Sequence, residues 1–257
     1  MMSKEIWVGF STIVKKEVIR FMRIWSQTLL PPAITMTLYF VIFGHVLGSR
    51  VGEMNGVSYI DYIVPGLVMM SIITSAYANV SGSFFSLKFQ HSIDEITISP
   101  LPHYVVLWGF VFGGVLRGLI VGIIVTVVAL FFTRLHIQYP IFMLLIAILS
   151  SILFSLAGFL NGLFAKKFDD ISIVPTFVLT PLTYLGGVFY SVSLLPAFWH
   201  KLSLCNPILY MVSAFRFSML GMSEIGAIYA TIFTLICVVV LYFVNLKLLS
   251  SGYGIRN

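Results

Sequence analysis

Five stretches of 22 residues or more contain no aspartate, glutamate, lysine or arginine, and this absence constrains the fold more than any motif does. They are residues 24–49, 62–87, 135–165, 171–200 and 225–246. A helix needs about 20 apolar residues to cross the hydrocarbon core, so each stretch holds at least one span. Charged residues make up only 9% of the chain, against roughly a quarter in soluble domains. The pattern predicts an all-α polytopic membrane protein, because a β-barrel shows short alternating segments instead.

The positive charges indicate how the chain is oriented. Five basic residues precede the first span and alternating helices place five more on the same side: Lys4, Lys15, Lys16, Arg20, Arg23, Lys88, Lys166, Lys167, Lys247 and Arg256. Four fall on the opposite side, namely Arg50, Arg134, Lys201 and Arg216. Cytoplasmic loops carry the excess of lysine and arginine, so both termini are predicted to be cytoplasmic and the number of spans even. The formal net charge of +6 is thus a topological signal and not a sign of nucleic-acid binding.

Six spans are predicted after an N-terminal amphipathic helix. Residues 4–25 combine an apolar stripe with a basic face at helical spacing, which favours a helix lying in the headgroup region. Its expected interface residues are Trp7, Lys15, Lys16 and Arg20, although a plain cytoplasmic lead-in is the alternative. Within a single domain of residues 1–257, the spans are placed at 28–47, 59–84, 105–132, 141–164, 171–189 and 225–248.

The segment 87–102, between the second and third spans, is too polar to cross the membrane and is expected on the cytoplasmic side. Its centre has the pattern of one short helix, which the prolines at its end terminate. It is either an ordinary loop or a docking element for a soluble partner. The residues that would make such a contact are Phe89, Gln90, Ile93, Asp94, Glu95 and Pro100.

Glycines recur along the third span at four-residue intervals, a spacing that lets a neighbouring helix backbone come close. They are Gly109, Gly113, Gly114, Gly118 and Gly122. The approaching helix belongs either to the same protomer or to a second one, and the sequence leaves both open. Arg117, in the same span, either faces the bundle interior or extends to the cytoplasmic interface.

The region after residue 170 does not have the pattern of two ordinary helices. Two full spans there would make the total odd, so one span is predicted to be followed by a re-entrant segment, 190–224, that returns to the outer side. Irregular backbone is tolerated at membrane depth only inside protein or beside a cavity. Asn206-Pro207 fits the turn of this hairpin, and Arg216 is expected to reach interfacial water or lipid phosphate. The candidate residues of this outer region are Pro181, Gly186, Gly187, Asn206, Pro207, Tyr210 and Arg216.

Taken together, these stretches resemble the integral membrane subunit of ABC-2 type transporters, in particular inner-membrane transport permeases of Gram-negative bacteria that pair with a separate ATPase. Beside the amphipathic start, they are RFMRIWSQTLLPPAITMTLYFVIFG, YIVPGLVMMSIITSAYANVSGSFF, KKFDDISIVPTFVLTPLTYLGGVFYSVSLLP and LSLCNPILYMVSAFR. The last two are the most specific, because they join Pro, Gly, Asn-Pro, Tyr and Arg in a fixed order.

The resemblance implies a homodimer of six-helix protomers in the bacterial inner membrane, each bound by a cytosolic ABC ATPase that carries ATP and Mg²⁺. It implies that 87–102 is the coupling helix, that 4–25 is the interface helix, and that 190–224 closes the pathway on the periplasmic side. No catalytic residue, cofactor or metal is expected in this chain. The absence of a G-x-x-x-x-G-K-[ST] phosphate loop agrees with that expectation.

The preferred function is the permease half of an ATP-driven exporter of an amphipathic, lipid-linked or drug-like substrate, in contact with membrane lipids. A secondary ion-coupled transporter is one alternative, disfavoured because the acidic residues lie near predicted interfaces and not at the midplane. A membrane-embedded lipid-modifying enzyme is another. It is disfavoured because the five histidines are scattered without metal-ligand spacing.

Overall fold

The computed structural model describes residues 2–90, 92, 101–135 and 137–252. The first half consists of α1 (Met2–Arg23), α2 (Trp25–Thr28), α3 (Leu30–Tyr39), a π-helical segment (Phe40–Leu47), α4 (Gly48–Val51), an antiparallel hairpin of β1 (Glu53–Met54) and β2 (Val57–Ser58), and α5 (Tyr59–Phe89). The second half consists of α6 (His103–Ala129), α7 (Pro140–Phe164), α8 (Phe168–Val174), a second π-helical segment (Pro175–Leu179), α9 (Thr180–Leu185), a 3₁₀ turn (Val192–Leu194), α10 (Ala197–Leu204), α11 (Pro207–Leu220) and α12 (Ala227–Ser250).

Five helices of the described chain are long and apolar enough to cross a membrane: Trp25–Gly44, α5, α6, α7 and α12. The prediction of a mainly helical polytopic membrane protein is therefore confirmed. The fifth predicted span, 171–189, is not among the five. Its place is taken by the broken helical run 168–185, which ends at a turn through Gly186 and Gly187. The count of six spans and the cytoplasmic termini stay predictions.

The helix α5 is the central element of the bundle. It packs against α6, α7 and α11, and 83% of its most apolar stretch is buried, against 17% for α12. Because neighbouring helices shield it from lipid, α5 carries several buried polar side chains: Ser71, Ser75, Asn79, Ser81 and Ser83. The α5 helix also continues to Phe89, so the first residues of the predicted coupling segment belong to its last turn.

The five glycines of α6 are covered by helices of the same chain. A Cβ added at Gly118 would lie 3.1 Å from Ala76 Cβ of α5, and one at Gly122 would lie 2.7 Å from Ile72 Cγ1. Gly114 is packed against Ser155 of α7 and against α5. Gly109 and Gly113 face α1. A Cβ added at Gly109 would lie 2.6 Å from Ile13 Cγ2, and one at Gly113 would lie 2.5 Å from Glu17 Cβ. The close approach that the spacing predicts therefore occurs within one chain, and two of the five glycines receive the N-terminal helix.

Two side chains fix the turn between α7 and α8. The Lys88 ammonium of α5 donates hydrogen bonds to the carbonyls of Leu163 (2.7 Å) and Ala165 (2.9 Å), which end α7. The Asp170 carboxylate accepts hydrogen bonds from the backbone N–H groups of Lys166 (2.8 Å) and Lys167 (3.0 Å). These two bonds hold the pKa of Asp170 below its ordinary value. Asp170 thus caps the start of α8.

Candidate functional site

The start of α11 is fixed by the Asn-Pro pair. The side chain of Asn206 is buried and accepts a hydrogen bond from the backbone N–H of Ile208 at 3.0 Å, as an N-cap does. Its amide also donates to the carbonyl of Leu182 in α9 at 2.5 Å. Pro207 occupies the first helical position, where its missing N–H costs nothing. The turn between α10 and α11 is thereby attached to the end of α9.

Arg216 does not reach water or lipid phosphate, and that prediction is wrong. The residue is 1% exposed. Its guanidinium donates to the carbonyls of Gly187 (2.6 Å) and Tyr62 (3.3 Å) and lies 3.9 Å from the centre of the Tyr62 ring. Since a buried cation needs acceptors and a counter-charge, α11 turns this side chain inward, where both are present.

The counter-charge is Glu224, in the connection between α11 and α12. Its carboxylate lies 3.8 Å from the Arg216 guanidinium and accepts hydrogen bonds from the Tyr62 hydroxyl (2.5 Å) and the Val192 N–H (3.1 Å). Tyr62, Arg216 and Glu224 form what we call the outer cluster. It ties the first turns of α5 to both ends of residues 190–224, the segment that the sequence predicts to be re-entrant.

The turn after α9 packs directly on α5. Gly187 has a φ of +69°, a conformation that favours glycine. A Cβ added at Gly66 would lie 2.7 Å from the Val188 carbonyl, so glycine is needed there for close backbone approach. A Cβ added at Gly186 would likewise lie 2.8 Å from Ile208 Cγ2. The remaining predicted residues of this region are Pro181, in the first turn of α9, and Tyr210, whose hydroxyl donates to the Leu204 carbonyl at 2.8 Å.

Four aromatic rings connect the first span to the turn after α9. Phe189 lies at their centre, 4.8 Å from Phe43, 5.7 Å from Tyr39 and 5.6 Å from Tyr184, measured between ring centres. Contacts of this kind stabilise beyond the area that they bury. This aromatic group joins the C-terminal parts of the two broken helical runs, 25–47 and 168–185.

On the side predicted to be cytoplasmic, Phe89 is exposed and its ring lies 4.7 Å from that of Phe168. Gln90 follows it as an exposed residue that caps α5. The other predicted coupling residues, Ile93, Asp94, Glu95 and Pro100, lie outside the described residues. The ring pair therefore places the beginning of the predicted coupling segment next to the first residue of α8.

The N-terminal helix α1 is amphipathic, and three of its predicted interface residues are exposed: Trp7, Lys15 and Lys16. Arg20 behaves differently. Its guanidinium binds the Glu17 carboxylate at 2.9 Å and the side-chain oxygen of Asn79 in α5 at 2.9 Å. Arg20 thus points toward the bundle and not toward lipid headgroups.

Glu17 is the functional candidate that the sequence analysis missed. It is 1% exposed and accepts hydrogen bonds from Asn79 (3.3 Å) and from the Ser83 hydroxyl, besides its ion pair. We call Glu17, Arg20, Asn79 and Ser83 the inner cluster. A signal was present, because Asn79 and Ser83 are four residues apart and so share one face of an otherwise apolar span.

Arg117 faces the protein, as one of the two alternatives expected. It is half-buried on α6 and donates to the carbonyl of Thr28 at 3.3 Å. Thr28 ends α2, where the backbone breaks before Pro31 and Pro32. The side chain thus binds a carbonyl at the break between α2 and α3.

A family model described as ABC-2 type transporter matches residues 8–220. The inner membrane transport permease YadH of Escherichia coli (strain K12) is 55% identical over 251 residues, which are 98% of this chain and 98% of the relative. Nodulation protein J of Rhizobium leguminosarum bv. viciae is 22% identical over 185 residues, covering 72% of this chain and 71% of that protein. The matched region contains both clusters except Glu224, and the resemblance predicted from the sequence is confirmed.

Permeases of this family pair with ATP-binding cassette ATPase subunits. The name of the bacterial relative and the five apolar helices agree with a multi-pass protein of the inner membrane. The chain therefore belongs to the ABC-2 type transporter family, as a transport permease and not as an enzyme.

Proposed function

We propose that this chain is the membrane subunit of an ABC exporter, and that two copies enclose the pathway of an amphipathic, lipid-linked or drug-like substrate. ATP is bound with Mg²⁺ and hydrolysed on a separate cytosolic subunit. That subunit docks on the segment that starts at Phe89 and Gln90. Both termini lie in the cytoplasm in this proposal, with the outer cluster on the periplasmic side.

The observation that supports the proposed dimer and pathway is a difference between two equally exposed spans. In Trp25–Gly44 and in α12 only 17% of the most apolar stretch is buried, yet its mean hydropathy is 1.3 in the first and 2.5 in α12. The α12 helix exposes large apolar residues, which suit lipid. The first span also exposes Ser26, Gln27 and Thr35, and the run 168–185 exposes Ser172, Thr176 and Thr180. A second copy or a pathway for a partly polar substrate suits such a surface better than lipid tails do.

Cysteine cross-linking tests this arrangement. Thr35→Cys and Thr176→Cys, each in a Cys205→Ser, Cys237→Ser background, are expected to give disulfide-linked dimers in native membranes. Ile236→Cys is the matched control, since Ile236 is exposed on α12 and is assigned to lipid. Cross-linking of Ile236→Cys with none at the other two sites would contradict the proposal.

Docking of the ATPase is tested by charge reversal. The double variant Asp94→Lys, Glu95→Lys is expected to lower the ATPase activity of the purified complex to that of the ATPase alone, because reversed charges oppose docking. Glu53→Lys reverses an exposed carboxylate on the hairpin at the other end and serves as control. Unchanged ATPase binding and stimulation in the double variant would remove the coupling assignment. The thermal stability of the permease should stay the same, because the two carboxylates serve docking in this proposal and not folding.

A further inference from the structure

A cavity of about 220 Å³ opens beside the first turn of α5. Four parts of the chain line it, namely β2, α5, the connection between α6 and α7, and the end of α11: Val57, Asp61, Arg134, Leu135, Gln138, Met219 and Leu220. The cavity has room for several water molecules and thus for a group larger than a single ion. Because its wall carries one acidic side chain, one basic side chain and an amide, it suits a small group that bears both charges.

Two of the polar lining residues are held in place by bonds within the chain. The Ser58 hydroxyl donates to one oxygen of Asp61 at 2.5 Å, and the Thr133 hydroxyl donates to the other. Both donors are neutral, so they orient the carboxylate without cancelling its charge. The amide of Gln138 donates to the carbonyl of Leu220 at 3.2 Å. The cavity is therefore a formed site with a fixed negative charge.

An apolar groove of about 480 Å³ lies between the first halves of α7 and α12. Six aliphatic side chains and one threonine line it: Ile141, Leu144, Leu145, Ile148, Leu149, Thr231 and Leu235. From Ile141 to Leu149 the helix rises about 12 Å, which is close to the roughly 15 Å of one leaflet of the hydrocarbon core. Its length and its lining suit one acyl chain of a lipid.

The groove begins close to the cavity. Gln138 lines the cavity and Ile141 lines the groove, and three residues of chain span at most about 11 Å. Both features lie at one end of the bundle, because Glu224, just before α12, accepts a hydrogen bond from Tyr62 in the first turn of α5. A molecule with a charged head and an apolar tail can thus occupy both.

We propose that the cavity and the groove together bind one phospholipid whose headgroup carries a phosphate and a primary ammonium, as phosphatidylethanolamine does. Asp61 receives the ammonium, Arg134 binds the phosphate, and the groove holds an acyl chain. An anionic headgroup without an amine is disfavoured because the Asp61 carboxylate repels it. A quaternary ammonium is disfavoured because it has no N–H to donate to that carboxylate.

This lipid site is separate from the proposed pathway, whose surface lies on Trp25–Gly44 and the run 168–185. The inference therefore does not depend on the proposed function. The bound lipid is a lasting component of the permease and not its cargo, because the site faces α12, which is assigned to lipid.

Native mass spectrometry of the purified permease in detergent micelles tests the choice of headgroup. The protein is titrated with phosphatidylethanolamine, phosphatidylglycerol and phosphatidylcholine that carry identical acyl chains. The first is expected to bind at least about tenfold more tightly than the other two, the lower end of what a hydrogen bond to a charged group contributes. Equal binding of the three lipids would overturn the proposal.

Two variants test the headgroup residues. Asp61→Asn and Arg134→Gln each remove one charge, and each is expected to weaken the binding of phosphatidylethanolamine at least about tenfold. Glu53→Gln and Arg50→Gln make the same kind of change at exposed positions that do not line the cavity, and should leave binding unchanged. Arg134 is exposed, so its variant keeps the fold even where Asp61→Asn loosens the start of α5. Unchanged binding in Arg134→Gln would refute the headgroup assignment.

Photo-crosslinking in nanodiscs tests the groove. Phosphatidylethanolamine with a diazirine in one acyl chain is expected to label residues 141–149 and 231–235 more strongly than the exposed second half of α12. Leu145→Trp fills the groove and should abolish the stronger labelling. Val240→Trp adds the same ring at an exposed position of α12 outside the groove and is the matched control. Uniform labelling along α12, or labelling that Leu145→Trp does not change, would show only ordinary lipid contact and contradict the proposal.

Discussion

The inner and outer clusters each bury an arginine–glutamate pair, and they are built in opposite ways. In the inner pair the Glu17 side chain is 1% exposed and that of Arg20 is 33% exposed. In the outer pair the Arg216 side chain is 2% exposed and that of Glu224 is 16% exposed. The inner cluster therefore encloses an anion, and the outer cluster encloses a cation.

The partners differ accordingly. The buried carboxylate receives side-chain donors from Asn79 and Ser83, whereas the buried guanidinium donates to the backbone carbonyls of Tyr62 and Gly187. Side-chain partners can be exchanged by mutation at one position, while carbonyl partners are fixed by the path of the backbone. The outer cluster should thus be the more rigid and the more costly of the two to disrupt.

The largest effect is expected from removing the enclosed cation. Arg216→Met leaves Glu224 without its counter-charge and two carbonyls without their donor, which should cost about 3–5 kcal/mol in the free energy of unfolding. Arg20→Met should cost clearly less, because water reaches part of that guanidinium. Unfolding in mixed micelles measures both. An equal loss in the two variants would end the distinction between the clusters.

Backbone packing behind the outer cluster gives the next effect. Gly66→Ala forces the Val188 carbonyl away from α5 and should destabilise by about 1–3 kcal/mol. Gly82 is the matched position on the same helix, where an added Cβ meets no heavy atom of the described residues within 4 Å. Gly82→Ala should therefore stabilise by up to about 1 kcal/mol, since alanine favours a helix. Two variants with the same sign of effect would contradict this packing.

A smaller effect is expected at the turn between α10 and α11. Asn206→Ala removes the cap of α11 and the bond to Leu182, at a cost of about 1–2 kcal/mol. Ser58→Ala removes the cap of α5 at an exposed position and should cost less. Hydrogen exchange of the first amides of α11 should speed up in the first variant only. If both ends exchange alike, the attachment of α11 to α9 is not what holds that turn.

The smallest effect concerns Asp170, outside both clusters. Its pKa is lowered by the backbone N–H groups of Lys166 and Lys167, so its contribution to stability is present at neutral pH and above its ordinary pKa. That contribution is lost as the pH falls through the lower, folded-state pKa. Carboxyl NMR titration should place the pKa of Asp170 below the ordinary value of an aspartate. A pKa at or above that ordinary value would exclude the cap.

The two clusters also explain which parts of the molecule the sequence predicts. Long uncharged runs and glycine spacing depend on the solvent and on helix geometry, so the helical membrane fold and the close approach at α6 follow from them. The partners of Glu17 were visible in principle, because Asn79 and Ser83 form a polar stripe on an apolar span. The partners of Arg216 were not, because every residue has a carbonyl and no pattern marks the two that accept its bonds.

The fifth span shows a second limit. Its prolines indicate a break in the helix. Whether a broken run of this length crosses the bilayer depends on which surfaces pack against it. A surface supplied by a second copy cannot be read from the sequence of one chain. The inward turn of Arg20 is a similar case. Its spacing fits either face of α1, and the buried position of Glu17 decides between them.

The ammonium of Lys88 has a consequence for chain insertions. Each residue added to a helix rotates everything after it by about 100°. One residue inserted between Ser83 and Lys88 would swing the ammonium away from the Leu163 and Ala165 carbonyls and uncap α7. The same insertion after Gln90 leaves the helical phase of Lys88 untouched. The Lys88 contact therefore fixes the number of residues between Ser83 and Lys88. It does not fix the number of residues that follow Gln90.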